Sequence, residues 1–224
     1  EFLTSEECSG RLPGTEGNVK AQEYIETIFE KLELEPYNNS YLFEYIHSGW
    51  NISKENYKMA IKFSDGEILD CKYGEDFLEN FMTNVEFIGE LALDYKEETI
   101  EDKFVLLKDL KYIIEVRDKA KGAIYPMESF RKSAPNFDEN GMAMIQISPK
   151  IYEQIIEKGV AEIDIKFEIE GEKEEFPQNN VVGILPGKNR ENAIVLTAHF
   201  DHVGSKGELI WKGAIDNGTG VSLL

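Results

Sequence analysis

The chain has 224 residues, of which 42% are hydrophobic and 30% charged, and its formal net charge at pH 7 is −19. This length and hydrophobic content can form a buried core in one large or two modest domains. The acidic balance argues strongly against nucleic acid as a partner, because binding a polyanion needs clustered Lys and Arg. No apolar run reaches the roughly 18 residues that span a membrane. Two cysteines, Cys8 and Cys71, are too few for a disulfide framework or a cysteine-rich metal site.

The first fifty residues predict a turn, a helix and a strand. Residues 12–18 contain Pro and Gly and predict a turn. Apolar residues then recur at three- and four-residue spacing up to Leu32, which predicts an amphipathic helix with Asn18 as its N-cap. Residues 39–46 predict the first strand of the main sheet. His47 follows without an acidic or cysteine neighbour at ligand spacing, so a structural role is expected for it.

The middle of the chain predicts short strands and two helices. Residues 57–63 and 67–70 flank an Asp-Gly turn and predict a hairpin. The remaining predicted elements are strands at 85–93, 104–107, 123–125 and 142–147, and helices at 113–121 and 150–158. Residues 56–159 contain no His, and their acidic residues show no metal-ligand spacing. We therefore expect no catalytic chemistry in this part of the chain.

The C-terminal part holds the residues with the most evident chemical use. Residues 161–169 alternate apolar and charged side chains and predict a half-exposed strand, and residues 179–187 predict a strand closed by a Pro-Gly turn. Residues 193–198 form an apolar, β-branched run that predicts a strand buried on both faces of a parallel sheet. His199 and Asp201 follow directly, so a continuing strand would place both side chains on one face, beyond its carboxyl end.

A histidine and two carboxylates at a strand end predict a zinc site. Asp216 lies in a glycine-rich turn that leads into a helix, and its carboxylate could reach the same metal as His199. Asp201 could either hold the imidazole in its metal-binding tautomer or coordinate directly. The alternative is that His199 and Asp201 are ordinary polar residues and Asp216 is a helix N-cap. A calcium loop at 216–220 is rejected, because it lacks alternating ligands and a closing Glu.

Residues 198–204 (AHFDHVG) followed by 213–220 (GAIDNGTG) resemble the first two metal-site motifs of the bacterial leucyl aminopeptidase family of zinc exopeptidases. The resemblance implies that His199 binds zinc and that Asp216 bridges two zinc ions. It also implies that Asp201 is a catalytic residue that orients and polarises the His199 imidazole. His202 matches a common family pattern without being expected to ligate. The segment from Arg11 to Gly17 and the strand before the motif also resemble this family.

The resemblance implies an α/β fold: an incomplete zinc-exopeptidase (phosphorylase/hydrolase-like) αβα sheet interrupted by a small insertion. Residues 1–50 and 170–224 would form the N-terminal portion of the peptidase domain. Residues 51–169 resemble the protease-associated domain in the order of their strands. For this insertion, a role as a lid over the site and a purely structural role are both open.

The implied activity is zinc-dependent removal of amino-terminal residues from peptides by a two-metal mechanism. The family's further ligands and its Glu-Glu pair lie downstream of position 224, so we expect this chain alone to bind zinc weakly and to hydrolyse nothing. We expect the apolar face of its last helix (Val221, Leu223, Leu224) to be partly exposed or to mediate self-association. The alternatives are a non-catalytic pseudoenzyme or peptide-binding module, and another activity of the same fold, such as that of carboxypeptidases or glutaminyl cyclases.

Overall fold

The computed structural model describes residues 1–96, 100–132, 137–138 and 141–224. These residues form two compact units. We call Glu1–Gly49 with Lys173–Leu224 the terminal unit, and Trp50–Glu172 the inserted unit. The sequence predicted boundaries after residues 50 and 169.

Thirteen strands and three α-helices are assigned among the described residues. In chain order the strands are β1 (Glu35–Pro36), β2 (Leu42–Phe63), β3 (Ile68–Asp70), β4 (Phe77–Glu79), β5 (Val85–Gly89), β6 (Leu91–Ala92), β7 (Phe104–Leu106), β8 (Gly122–Pro126), β9 (Ala143–Ile147), β10 (Val160–Val181), β11 (Gly183–Ile184), β12 (Ser205–Lys206) and β13 (Leu209–Ile210). The helices are α1 (Glu16–Lys31), α2 (Pro149–Lys158) and α3 (Thr219–Leu223), with 3-10 turns at Phe2–Thr4 and Leu110–Glu115 and an irregular turn at Ala214–Gly218.

The inserted unit is built on a mixed sheet with the strand order β4-β9-β8-β7-β6. Neighbouring strands from β6 to β9 are parallel, and β4 runs antiparallel to β9. The residues of β7 and β8 are almost entirely buried, as their continuous apolar composition requires of strands covered on both faces. The strands predicted at 104–107, 123–125 and 142–147 are therefore confirmed, together with their order along the chain.

The inserted unit also contains a second, four-stranded sheet with the strand order β3-β2-β10-β5, in which β3 pairs antiparallel with β2 and β5 antiparallel with β10. The hairpin predicted around Asp65 and Gly66 is confirmed, with Ile61 opposite Leu69 in the β2–β3 pair. Helix α2 begins at an N-cap serine, Ser148, and ends at Gly159, whose φ of 68° lies in the left-handed region that favours glycine. Its buried side chains join the same core as the hairpin and the mixed sheet.

The helix predicted at 113–121 is only partly formed. A 3-10 turn covers Leu110–Glu115, and irregular turns follow up to residue 119. Asp109 caps the first turn through its side chain, which accepts a hydrogen bond from the Lys111 amide at 2.9 Å. The β-branched residues in this segment have low helix propensity, and Val116 is buried in a hydrophobic cluster. The segment is therefore anchored without forming a regular helix.

Gly122 in β8 tests how tightly the mixed sheet is packed. A Cβ at this position would collide with the ring of Phe104, which is fully buried and cannot move aside without disturbing its neighbours. We expect Gly122→Ala to lower the free energy of unfolding by about 1–3 kcal/mol, the usual cost of overpacking a core. Urea denaturation followed by circular dichroism measures this. Gly187→Ala is the control, because its Cβ would meet its nearest atom at 3.6 Å. Equal stability of the two variants would contradict the prediction.

The terminal unit contains α1 and a small core. Helix α1 confirms the predicted amphipathic helix, but its N-cap is Thr15, whose hydroxyl accepts from the Asn18 amide at 3.4 Å. Asn18 instead lies in the first turn, where its side chain donates to the carbonyl of Arg11 at 2.9 Å. The core is formed by Leu3, Cys8, Ala21 and Ile25, with partly buried residues packed against it, including Phe200 and Val221.

Residues 193–198 do not form the buried strand that their composition predicts. Among the described residues no strand pairs with them, and Ile194, Val195 and Leu196 are 92%, 78% and 70% exposed. A buried strand needs a hydrogen-bonded neighbour on each edge and a covering layer on each face. Beyond the ends of β2 and β10, the terminal unit offers only the two-stranded pairs β1–β11 and β12–β13 among its described residues. The run therefore has the composition of a sheet strand without a sheet to join.

The apolar residues at the C-terminal helix α3 are partly exposed, as expected. Val221 packs against the small core, whereas Leu223 and Leu224 are 87% and 53% exposed.

No helix within the described ranges combines the length and apolar character needed to cross a lipid bilayer.

Candidate metal site

The segment that carries His199 and Asp201 is held in place by the residue between them. Phe200 packs against the small core of the terminal unit, while the side chains of His199 and Asp201 remain 52% and 49% exposed. The side chains of His199 and Asp201 point the same way, because Nδ1 of His199 lies 3.5 Å from Oδ1 of Asp201. His199 and Asp201 thus lie on one face, as predicted, although the strand before them is not formed.

The loop from Gly213 to Gly218 carries Asp216. Gly213 has a φ of 56°, and a Cβ there would lie 2.6 Å from the Arg11 guanidinium and 2.7 Å from the His202 ring, so only glycine fits. The loop is closed by a hydrogen bond from the Gly218 amide to the Gly213 carbonyl at 3.0 Å. Asp216 does not act as a helix N-cap, because Gly218 occupies that position before α3.

The two predicted metal ligands lie side by side. The Nε2 atom of His199 is 3.2 Å from Oδ1 of Asp216, although the two residues are far apart in the sequence. Both side chains are accessible, with Asp216 70% exposed. The structure therefore brings together an imidazole nitrogen and a carboxylate oxygen at the surface of the terminal unit.

Asp201 lies on the opposite side of the imidazole. Its Oδ1 is 3.5 Å from Nδ1 of His199, and its main-chain oxygen is 3.2 Å from the same nitrogen. An acceptor at Nδ1 favours the tautomer with the proton on Nδ1, which leaves Nε2 free to act as a ligand. Of the two roles left open for Asp201, orienting His199 fits this position better than direct coordination.

His202 is the second histidine near Asp216. Its side chain is only 16% exposed, and its Nδ1 is 3.9 Å from Oδ2 of Asp216. Burial lowers the pKa of His202, and the Asp216 carboxylate opposes this shift. His202 thus faces the same carboxylate from a more enclosed position. The remaining histidine, His47, packs its ring 5.2 Å from that of Phe176, in line with the structural role expected for it.

Arg11 is the residue of this site that sequence reasoning missed. Its side chain is completely buried, and its guanidinium donates to the main-chain carbonyls of Phe200 at 2.5 Å and Lys212 at 2.8 Å. Burial lowers the pKa of Arg11, whereas the carboxylates of Asp201 and Asp216 raise it. The only signal in the sequence was an arginine in the family-like segment from Arg11 to Gly17, and nothing in that signal indicated its contacts.

The described residues bring two metal-binding side chains together but not a full ligand set. Within this part of the chain, no group of three or more His, Cys, Asp or Glu side chains is placed to hold a metal ion. A catalytic zinc usually has three protein ligands. The pair His199 and Asp216 is thus a partial donor set.

Comparison of the sequence with protein families finds a match in its C-terminal part. Residues 180–224 match Peptidase family M28. This segment contains His199, Asp201 and Asp216, so the match confirms the resemblance to zinc exopeptidases in the part of the chain that holds the candidate site. No curated protein sequence matches the chain.

Solved structures share the fold of the whole chain. A peptidase M28 precursor from Shewanella amazonensis is 16% identical with a TM-score of 0.66, and an aminopeptidase from an Aneurinibacillus strain is 16% identical with a TM-score of 0.58. A zinc aminopeptidase from Bacillus subtilis is 17% identical with a TM-score of 0.50. Each match covers 99% of this chain but only 54–56% of the other. The predicted fold class is confirmed, and the chain spans about half the length of these structures.

Proposed function

From the match of residues 180–224 to Peptidase family M28, we propose that the chain is the N-terminal part of a zinc-dependent aminopeptidase, with His199 and Asp216 as zinc ligands. The observation that carries the proposal is the 3.2 Å approach of His199 Nε2 to Asp216 Oδ1. The terminal unit is then part of the peptidase domain, and the inserted unit is a protease-associated-like domain.

The geometry of the pair suits zinc. Imidazole nitrogen and carboxylate oxygen lie about 2.0–2.2 Å from a bound zinc ion, so two such ligands at the tetrahedral angle are about 3.4 Å apart. The 3.2 Å between His199 Nε2 and Asp216 Oδ1 is close to this edge length. A zinc ion would therefore require only small movements of the two side chains.

The remaining residues of the site support the pair. Asp201 holds His199 through Nδ1, which fixes the ring and keeps Nε2 directed at Asp216. Zinc bound at this pair would supply a Lewis acid that polarises a peptide carbonyl. In this proposal the second oxygen of Asp216 is available to a second zinc ion, and the further ligands and the general base belong to residues outside this chain.

The proposed substrate is a peptide with a free amino terminus. This assignment rests on the family match and on the resemblance of the two motifs. The choice of substrate also distinguishes an aminopeptidase from the main alternatives. A longer protein that contains this chain should cleave leucyl p-nitroanilide but not its N-acetylated form. Cleavage only from the carboxyl end of peptides would favour a carboxypeptidase, and no cleavage of any peptide would favour a binding module.

The metal part of the proposal is tested on the chain itself by NMR. The sequence contains three histidines, so imidazole ¹H–¹⁵N spectra can be assigned with His47 as an internal reference. On titration with zinc we expect the Nε2 signal of His199 to shift strongly and that of His47 to stay unchanged. His47→Gln should not alter the titration, whereas His199→Gln should remove it. Equal responses of His47 and His199 would indicate adventitious zinc and would contradict the assignment.

A further inference from the structure

The main chain around Arg11 is fixed on both sides of the residue. Its φ of 53° lies in the left-handed region, and its amide donates to the Cys8 carbonyl at 2.7 Å. Its own carbonyl accepts from the His202 amide at 3.1 Å and from the Asn18 side chain at 2.9 Å. The backbone thus directs the side chain from the turn before α1 toward the metal-site segments.

The guanidinium joins the two segments that carry the metal ligands. It donates to the Phe200 carbonyl at 2.5 Å, between His199 and Asp201, and to the carbonyls of Lys212 at 2.8 Å and Gly213 at 3.0 Å, just before Asp216. A further hydrogen bond reaches the carbonyl of Leu3. One side chain therefore contacts the backbone beside both ligands and ties this backbone to the N-terminal turn.

The contacts of Arg11 require both its charge and its shape. A fully buried cation costs several kcal/mol unless other groups replace its hydration. Four carbonyl dipoles do so at this position, and the carboxylates of Asp201 and Asp216 add favourable charge. The planar guanidinium offers five fixed donors, whereas a lysine ammonium offers three on a compact head and cannot meet the same set of carbonyls.

We infer that Arg11 is a positioning residue for the zinc site: its guanidinium sets the distance between His199 and Asp216 by holding the backbone on both sides. The inference rests on the proposed function. Arg11 acts through the two ligands and does not itself touch the metal.

The test removes the guanidinium and then supplies it from solution. Arg11→Gly suits the left-handed backbone and leaves a cavity shaped for a guanidinium. The zinc affinity, read from the His199 imidazole signal, should fall about 10- to 100-fold. This is the usual loss when a residue that holds a metal ligand, without binding the metal itself, is removed. Added ethylguanidinium should restore the affinity, and neutral ethylurea should not. Arg190→Gly is the matched control, because the Arg190 side chain is 70% exposed and pairs with Glu35 instead of with these carbonyls.

Each outcome decides between a positioning role and a merely structural one. If Arg11→Gly does not fold, Arg11→Lys keeps the charge and should fold with zinc affinity reduced by at least about 10-fold. Zinc affinity of the folded Arg11 variants equal to that of Arg190→Gly would overturn the inference while leaving the proposed function intact. Equal rescue by ethylurea would overturn the role of the charge. No response of His199 to zinc in the unaltered chain would overturn the proposed function, and the inference with it.

Discussion

Asp216→Asn is expected to lower the zinc affinity of the chain by more than about 100-fold. This exceeds the loss of about 10- to 100-fold that is usual when a residue that only orients a metal ligand is removed. The amide keeps the size of the carboxylate but lacks its charge, and a neutral amide oxygen is a poor zinc ligand beside an imidazole. His199 would then remain as the sole strong donor of the pair. The side chain of Asp216 is 70% exposed, so the substitution should leave the fold and its stability unchanged. Isothermal titration with zinc gives the affinity.

The matched control for this loss is Glu208→Gln. Glu208 is an exposed carboxylate of the same unit, in the turn between β12 and β13. Its neutralisation changes the net charge by the same amount as Asp216→Asn. Zinc binding of the control should equal that of the unaltered chain. If the two variants bind zinc equally well, Asp216 is not a ligand.

The second large effect is a loss of stability of the inserted unit in alkali. Burial raises the pKa values of Tyr57, Tyr73 and Tyr125, and the Glu79 carboxylate, which accepts a hydrogen bond from Tyr73, raises that of Tyr73 further. Tyr57 stacks on Tyr73 with ring centroids 4.5 Å apart and donates to Glu55 at 3.2 Å. In the unfolded chain all three phenols ionise near the reference pKa of about 10.

The direction of the pH effect follows from proton binding. Below pH about 10 both states keep the phenol protons, and these tyrosines do not make the stability depend on pH. Above it the unfolded chain releases protons that the folded unit retains, so each tyrosine lowers the free energy of unfolding by up to about 1.4 kcal/mol per pH unit. Three tyrosines give a slope of up to about 4 kcal/mol per pH unit.

Urea unfolding measured from about pH 9 to about pH 12 gives this slope, because the range brackets the reference pKa of tyrosine. Tyr73→Phe should reduce the tyrosine contribution to this slope by about one third, because one of the three phenols is removed. Tyr112→Phe is the control, since that ring is partly exposed and stacks on Tyr95 at the surface of the same unit. A stability that stays constant across this range would contradict the assignment of these buried, protonated phenols.

The elements predicted best from sequence are those determined locally. The hairpin around Asp65 and Gly66 follows from its turn residues, and the end of α2 follows from Gly159. Local signals of this kind act within a few residues and do not depend on the rest of the fold. His199 and Asp201 are also only two positions apart, and their side chains lie on one face as their spacing predicts.

The elements predicted least well depend on contacts across the chain. Residues 193–198 have strand composition, but a strand also requires neighbours, and composition does not state whether they are present. Arg11 is separated from Phe200 and Lys212 by most of the sequence, so no spacing rule could reveal its hydrogen bonds. For the approach of His199 to Asp216, the residues alone left a shared metal site and a helix N-cap both open, and the motif resemblance implied the shared site.

The most direct test of zinc binding by His199 and Asp216 is a crystal structure of the chain grown with zinc and recorded at the zinc absorption edge. We expect an anomalous peak between the two residues, about 2.0–2.2 Å from Nε2 and from a carboxylate oxygen. Asp201 should remain on the Nδ1 side of the ring. A crystal whose anomalous peaks all lie elsewhere, with His199 and Asp216 in contact only with each other, would contradict the claim that these residues bind zinc.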